Sequence, residues 1–327
     1  MGEIRNSYVD VARGVCMLLI ICIHTEVFGV IGMPLTFIPV PMFFFMSGFF
    51  DRSDQDFKKY ISTLSISLML PALIWTIVGL VYVMFLNFVK TGEVMQLNLD
   101  IYNPTSWNGP AWFLLALFFV KIFIKCLLKL RLNRGVIVII AVFVGYCGFY
   151  IQLPFCIDEG LVALPLYLIG KFIYPYLNVI ISKKIIVFLS LIVVLFFVLR
   201  YVSYGIVPVG NGSYYYPNYF VALMAILFTF PAVLFFSRLV EKIDSRKIVS
   251  RFGQNTLGIM LLHAPMCHTA AVVLNRVFEV ASFLWILSFL AAYVIIIIVS
   301  YGLVTLINKC CCIMFGKRTK LYNNAQT

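Results

Sequence analysis

Ten stretches of this chain, at residues 8–29, 37–50, 64–88, 111–130, 135–152, 160–180, 185–201, 218–237, 255–275 and 283–308, are almost continuously apolar. A helix needs about 20 such residues to cross ~30 Å of hydrocarbon. Inside lipid every backbone N–H and C=O must be paired within the segment, so the runs are restricted to helices. Hydrophobic residues make up 63% of the 327 and charged residues only 12%, about half the charge content of a soluble domain. The expected fold is therefore an all-α integral membrane protein, a bundle of about ten transmembrane helices forming one domain over residues 1–327. The second run is short and aromatic, which predicts a short or partly re-entrant helix. Only Ser182, Lys183 and Lys184 separate the sixth run from the seventh.

A net charge of +12 raises the question of nucleic acid. The placement of the charges answers it, because they collect at the ends of apolar runs, as the positive-inside bias requires. With the N-terminus inside, 21 of the 25 Lys and Arg fall in inner segments and only Lys90, Arg200 and Arg276 in outer ones. Both termini are thus expected in the cytoplasm and the lipid bilayer as the main partner. The first run is continuously apolar only after Arg13, carries His24 and Glu26, and lacks a small-x-small cleavage pattern, so it reads as an uncleaved helix. The nine cysteines show no zinc-like spacing with histidine, and most sit in apolar runs as small hydrophobes; no metal is expected.

Ionisable residues within a span are costly and are functional candidates by default. The first span holds Asp10, Arg13, His24 and, near its outer end, Glu26. Arg13 and His24 are 11 residues apart, so they fall within about 20° on one face and ~16 Å apart along the axis. Asp10, three residues before Arg13, shares that stripe. Glu26 points elsewhere and is kept as a residue lining the substrate site. Two readings remain open. Asp10 and Arg13 are an anchor pair with His24 a structural hydrogen-bonder, or His24 is a general base with Arg13 binding an anionic group such as phosphate.

Further candidates lie downstream. His263, about ten residues into the ninth run, matches His24 in depth; it is a second active-site imidazole or an interhelical hydrogen-bonder. His268 reads as interfacial. Ser47, before Gly48, reads more simply as a helix-packing point and is kept as a site-lining residue. Trp112 is a membrane-belt residue with sugar stacking as a second role. The tyrosine-rich stretch near residues 202–217 also reads as belt. Asn255 and Thr256 are expected to cap the ninth helix.

Residues 8–15, YVDVARGV, followed by His24, resemble the opening signature of the membrane acyltransferase family 3. Residues 39–50, PVPMFFFMSGFF, are similar to its aromatic second helix ending in Ser-Gly. Residues 109–117, GPAWFLLAL, resemble its Trp-Phe-Leu element. The segment from Gly253 to His263 resembles its late Gly-to-His stretch. The flavour is nearest the fucose 4-O-acetylase-like branch. The resemblance implies a bacterial O-acetyltransferase of the cytoplasmic membrane. It would take an acyl group from an acyl-CoA, usually acetyl-CoA, and place it on a hydroxyl of a surface or lipid-linked saccharide. It carries the family's histidine onto His24 and its arginine onto Arg13. In one respect this chain departs: some members have paired arginines in the loop after the second helix, where residues 51–59 here offer only Lys58 and Lys59. The chain also leaves little length after the tenth run for the extracytoplasmic domain that some relatives carry. The rival reading is a transporter or flippase for a polysaccharide or lipid-linked sugar, which also suits ten helices and a polar stripe. Against it stands the lack of an inverted repeat or of matched broken helices.

Overall fold

The computed structural model describes residues 7–25, 38–51, 53–94, 100–102, 104–204, 218–279 and 282–316, and among these every regular element is a helix. The apolar runs appear in order as α1 (Ser7–His24), α2 (Pro39–Phe49), α3 (Phe57–Leu64), α4 (Leu70–Thr91), α5 (Trp112–Lys129), α6 (Arg134–Tyr150), α7 (Ile157–Ile173), α8 (Leu177–Ser182) and α9 (Lys184–Tyr204). After residue 218 follow α10 (Tyr219–Ile243), α11 (Ile248–Gln254), α12 (Thr256–Val277) and α13 (Phe283–Cys310).

Among the described residues six helical segments are long and apolar enough to cross a bilayer: α1, the continuous Phe57–Thr91 segment, Ser106–Lys129, α10, α12 and α13. The pair Pro154–Ser182 and Lys184–Val198 adds a seventh if taken as one bent span, with an angle of 98° between its arms. Among the described residues the chain thus has six to seven candidate spans by length and composition, as a multi-pass membrane protein does, against about ten expected. The difference has local causes. Helix α2 has 11 residues, ~16 Å of rise, and α6 has 17, ~25 Å. The sixth run is interrupted by a 3₁₀ turn at Tyr174–Tyr176 around Pro175, and Lys183 is extended at ψ 102°. The third run starts earlier than its apolar content shows. Asp56 caps Lys58 and Lys59 N–H, and one π turn, Ser65–Met69, joins α3 to α4. Pro71 there has no N–H to give the Ser67 carbonyl.

Helix α1 is the hub, packed on α2, α10, α11, α12 and α13. Its contact with α11 is unusually close, because Gly253 faces the Asp10 carbonyl where a Cβ would come within 1.7 Å. Tyr293 of α13 donates to the Leu18 carbonyl at 3.2 Å. Between α11 and α12, Asn255 occupies the cap position without capping. Its amide instead donates to Arg251 O at 3.0 Å, and its oxygen accepts from Asn308 at 3.3 Å.

Candidate active site

Helix α1 is unbroken from Ser7 to His24, so Arg13 and His24 keep the shared face that their spacing implies. At the Arg13 end, the guanidinium stands 4.0 Å from Asp10 Oδ1 and 5.0 Å over the Phe50 ring. Asp10 is 2% exposed and Arg13 about a quarter exposed. Gln254 Nε2 donates to Asp10 Oδ2 at 3.1 Å. The glycine contact between α1 and α11 is what brings Gln254 within reach. Thus a buried carboxylate, held by an amide, orients a cation that still opens to its surroundings.

At the other end, the His24 and His263 rings meet edge to face, with centroids 5.1 Å apart and planes at 85°. Their hydrogen bonds assign the tautomers. His24 Nδ1 lies 2.8 Å from Ile20 O, and His263 Nδ1 lies 2.7 Å from Met260 O. A carbonyl only accepts, so in each neutral ring Nδ1 carries the hydrogen and Nε2 is left as a basic lone pair. His24 is exposed, while His263 is fully buried with Nε2 unpartnered among the described residues. The arrangement is one accessible imidazole base backed by a second, enclosed imidazole.

The turn carrying His263 has its own support. Pro265 cannot donate to Leu261 O, four residues back. Asn108 takes over, donating Nδ2 to Leu261 O at 3.1 Å and to Trp75 O at 3.2 Å. It thereby ties α12 to α4. The sequence offered a signal here, a proline inside an otherwise regular helix two residues after a histidine, but not the identity of the donor.

Two other sequence candidates, Ser47 and Trp112, make their contacts elsewhere in the bundle. Ser47 Oγ donates to Phe43 O within α2, at 2.7 Å. Next to it Gly48 packs against α7, where a Cβ would stand 2.0 Å from Tyr167 O. Trp112 is half-buried at the start of α5, its ring 6.4 Å from that of Phe44. Neither Ser47 nor Trp112 hydrogen-bonds or stacks with either histidine among the described residues. Glu26 lies outside the described residues, as does most of the tyrosine-rich stretch.

A second polar cluster was not anticipated as a unit. Lys121 and Lys125 of α5 and Lys171 of α7 project toward the loop after α2. Lys171 Nζ pairs with Asp51 and donates to Ser53 Oγ at 2.9 Å. Tyr167 OH donates to Asp51 Oδ1 at 2.7 Å and accepts from Lys121 Nζ at 2.8 Å. Lys125, only 3% exposed, donates to the Ser53 and Gln55 carbonyls. Burial alone would raise the Asp51 carboxyl, but hydrogen bonds from Lys171, Ser53 and Tyr167 and the Lys171 charge hold it below its usual range.

A family model described as "Acyltransferase domain" matches residues 6–305, from the start of α1 to near the end of α13. No curated protein and no solved structure matches the chain.

Proposed function

Since this chain belongs to membrane acyltransferase family 3, we propose that it moves an acetyl group from acetyl-CoA to a hydroxyl of a cell-envelope saccharide. Acyltransfer is the family's reaction; the donor, the acceptor and the residue roles are our reading. The observation that carries it is the exposed His24, its Nε2 lone pair left free by the Nδ1 bond to Ile20 O and backed by His263 at 5.1 Å. His24 Nε2 takes the proton of the acceptor hydroxyl. The alkoxide oxygen attacks the thioester carbonyl, the C–O bond forms and the C–S bond breaks. The proton then passes from His24 to the departing CoA thiolate. An imidazole suits both halves because its ordinary pKa lies near working pH. His263, enclosed and neutral in this tautomer, sets the plane of the His24 ring.

Arg13 serves as the contact for CoA phosphates, with Asp10 and Gln254 holding it. Its separation of ~16 Å from His24 suits an extended donor lying along α1 with phosphates at one end and thioester at the other. Ser47, Trp112 and Glu26 remain proposed lining residues, and both termini are placed in the cytoplasm of a bacterial cell, with the ten apolar runs crossing or entering its inner membrane. The family match does not favour the transporter alternative.

The test is transfer of labelled acetyl from acetyl-CoA to envelope glycan in membranes carrying the wild-type chain or His24→Ala. The variant is expected to lose about 10²–10⁴-fold in rate at normal abundance in the membrane. A His24→Ala chain that acetylates at the wild-type rate removes the base we assign.

A further inference from the structure

Of the three basic residues that charge counting leaves outside, two converge. Lys90, in the last turn of α4, and Arg276, in the last turn of α12, line one groove of about 780 Å³. Its walls include Tyr82 and Asn87 from α4 and His268 from α12; its floor is the turn Ser106–Ala111, with Trp107 and Asn108. Among the described residues no Asp or Glu lines it. Neither Lys90 nor Arg276 has an ion partner among the described residues.

The floor carries an unmet need. Asn108 is 2% exposed. Both hydrogens of its amide are committed to Trp75 O and Leu261 O, yet Oδ1 is buried with no donor among the described residues. An indole beside two amides, a serine and an imidazole is a surface for hydroxylated rings, and the paired cations at the mouth select negative charge.

On α12, the groove residues Ala264, Pro265, His268, Val272 and Arg276 lie roughly 100–220° around the axis from His263. The groove therefore backs onto the imidazole pair across one helix, a separation of about 10 Å. It is a holding site for a second part of the acceptor, not the place of reaction.

We propose that this groove binds an anionic saccharide, a neighbouring segment of the acceptor chain whose hydroxyl reaches His24. The proposal rests on the acyltransfer reading above and narrows its acceptor to sugars bearing carboxylate or phosphate.

The experiment is equilibrium binding of two probes, hexagalacturonate and maltohexaose, to the full chain in nanodiscs. Hexagalacturonate is expected to bind about tenfold more tightly at low salt, and Lys90→Gln with Arg276→Gln to abolish that preference. Both side chains are exposed at helix ends, so the double variant is expected to fold. Leu86 of α4 also lines the groove; Leu86→Trp, which fills it and leaves the charges in place, is expected to weaken both probes. Equal binding of the two probes, or an unchanged preference in the double variant, overturns the proposal. So does a phospholipid that co-purifies with the wild type, is displaced by Leu86→Trp, and leaves no saccharide binding. The two readings fail separately. Probe binding without acetyl transfer sinks the reaction and spares the groove. Transfer to glycan without any charge-selective binding does the reverse.

Discussion

His263 is enclosed on every side, and its Nδ1 is spent on the Met260 carbonyl. A side chain in that position has no route to a substrate proton, so in the proposed mechanism its contribution passes through His24, whose ring it meets at 85°. Replacing it by Asn keeps a hydrogen-bonding group of smaller size but removes the edge contact. The expected outcome is a fall in kcat of about tenfold or more, equivalent to ~1.4 kcal/mol in the barrier, with KM for the acyl donor nearly unchanged. A rise in KM with kcat intact would instead mark His263 as a binding residue. The neighbouring proline and Asn108 bring it there: one frees the Leu261 carbonyl and the other occupies it.

The site depends on how two helices touch. Helix α1 and the short α11 approach so closely that a Cβ on Gly253 would sit 1.7 Å from Asp10 O and 2.9 Å from Gly14 N. Backbone atoms have nowhere to retreat, and the separation of the helices would carry Gln254 away from Asp10. Gly253→Ala is expected to cost about 2 kcal/mol of stability, in the range of overpacked helix contacts, and to lower acetyl transfer with it. Thermal unfolding in detergent measures the first. Gly302→Ala serves as the control, since a Cβ there meets nothing within 4 Å and alanine is the better helix former; it is expected to be neutral or slightly stabilising.

Asp51, just after α2, is joined to α7 directly by Lys171 and Tyr167 and to α5 by way of Tyr167 and Lys121. Its side chain is 1% exposed and that of Lys171 27%. Asp51→Asn would leave a partly shielded cation unmatched and is expected to destabilise the fold by about 2 kcal/mol; adding Lys171→Met is expected to restore part of it, which a double-mutant cycle measures. The sign of the pH effect follows from the lowered carboxyl. Stability from this contact is fully present above the ordinary aspartate value of 3.8 and is lost as pH falls through the lower folded value. Acid unfolding of the wild type is therefore expected to steepen below about pH 4, and to do so less in Asp51→Asn. An identical acid profile for both chains would mean that Asp51 does not carry this dependence.

Apolar run length sufficed for the helical class, the membrane setting and most helix positions, because a bilayer imposes its thickness and its demand for paired backbone groups on any chain that enters it. Local periodicity sufficed to put Arg13 and His24 on one face, and a motif sufficed for the family. Run length marked the break at Lys183 but did not foresee the turn at Pro175 inside the sixth run, since apolar content is blind to where the backbone bends. Nor did it foresee the partners that complete each cluster: Gln254 for Asp10, Phe50 for Arg13, Asn108 for the carbonyl freed by Pro265, and Asp51 for Lys171. Such partners stand up to 244 residues apart in the chain. Their meeting depends on which helix faces pack at backbone contact, a long-range property of the assembled bundle that no window of sequence contains.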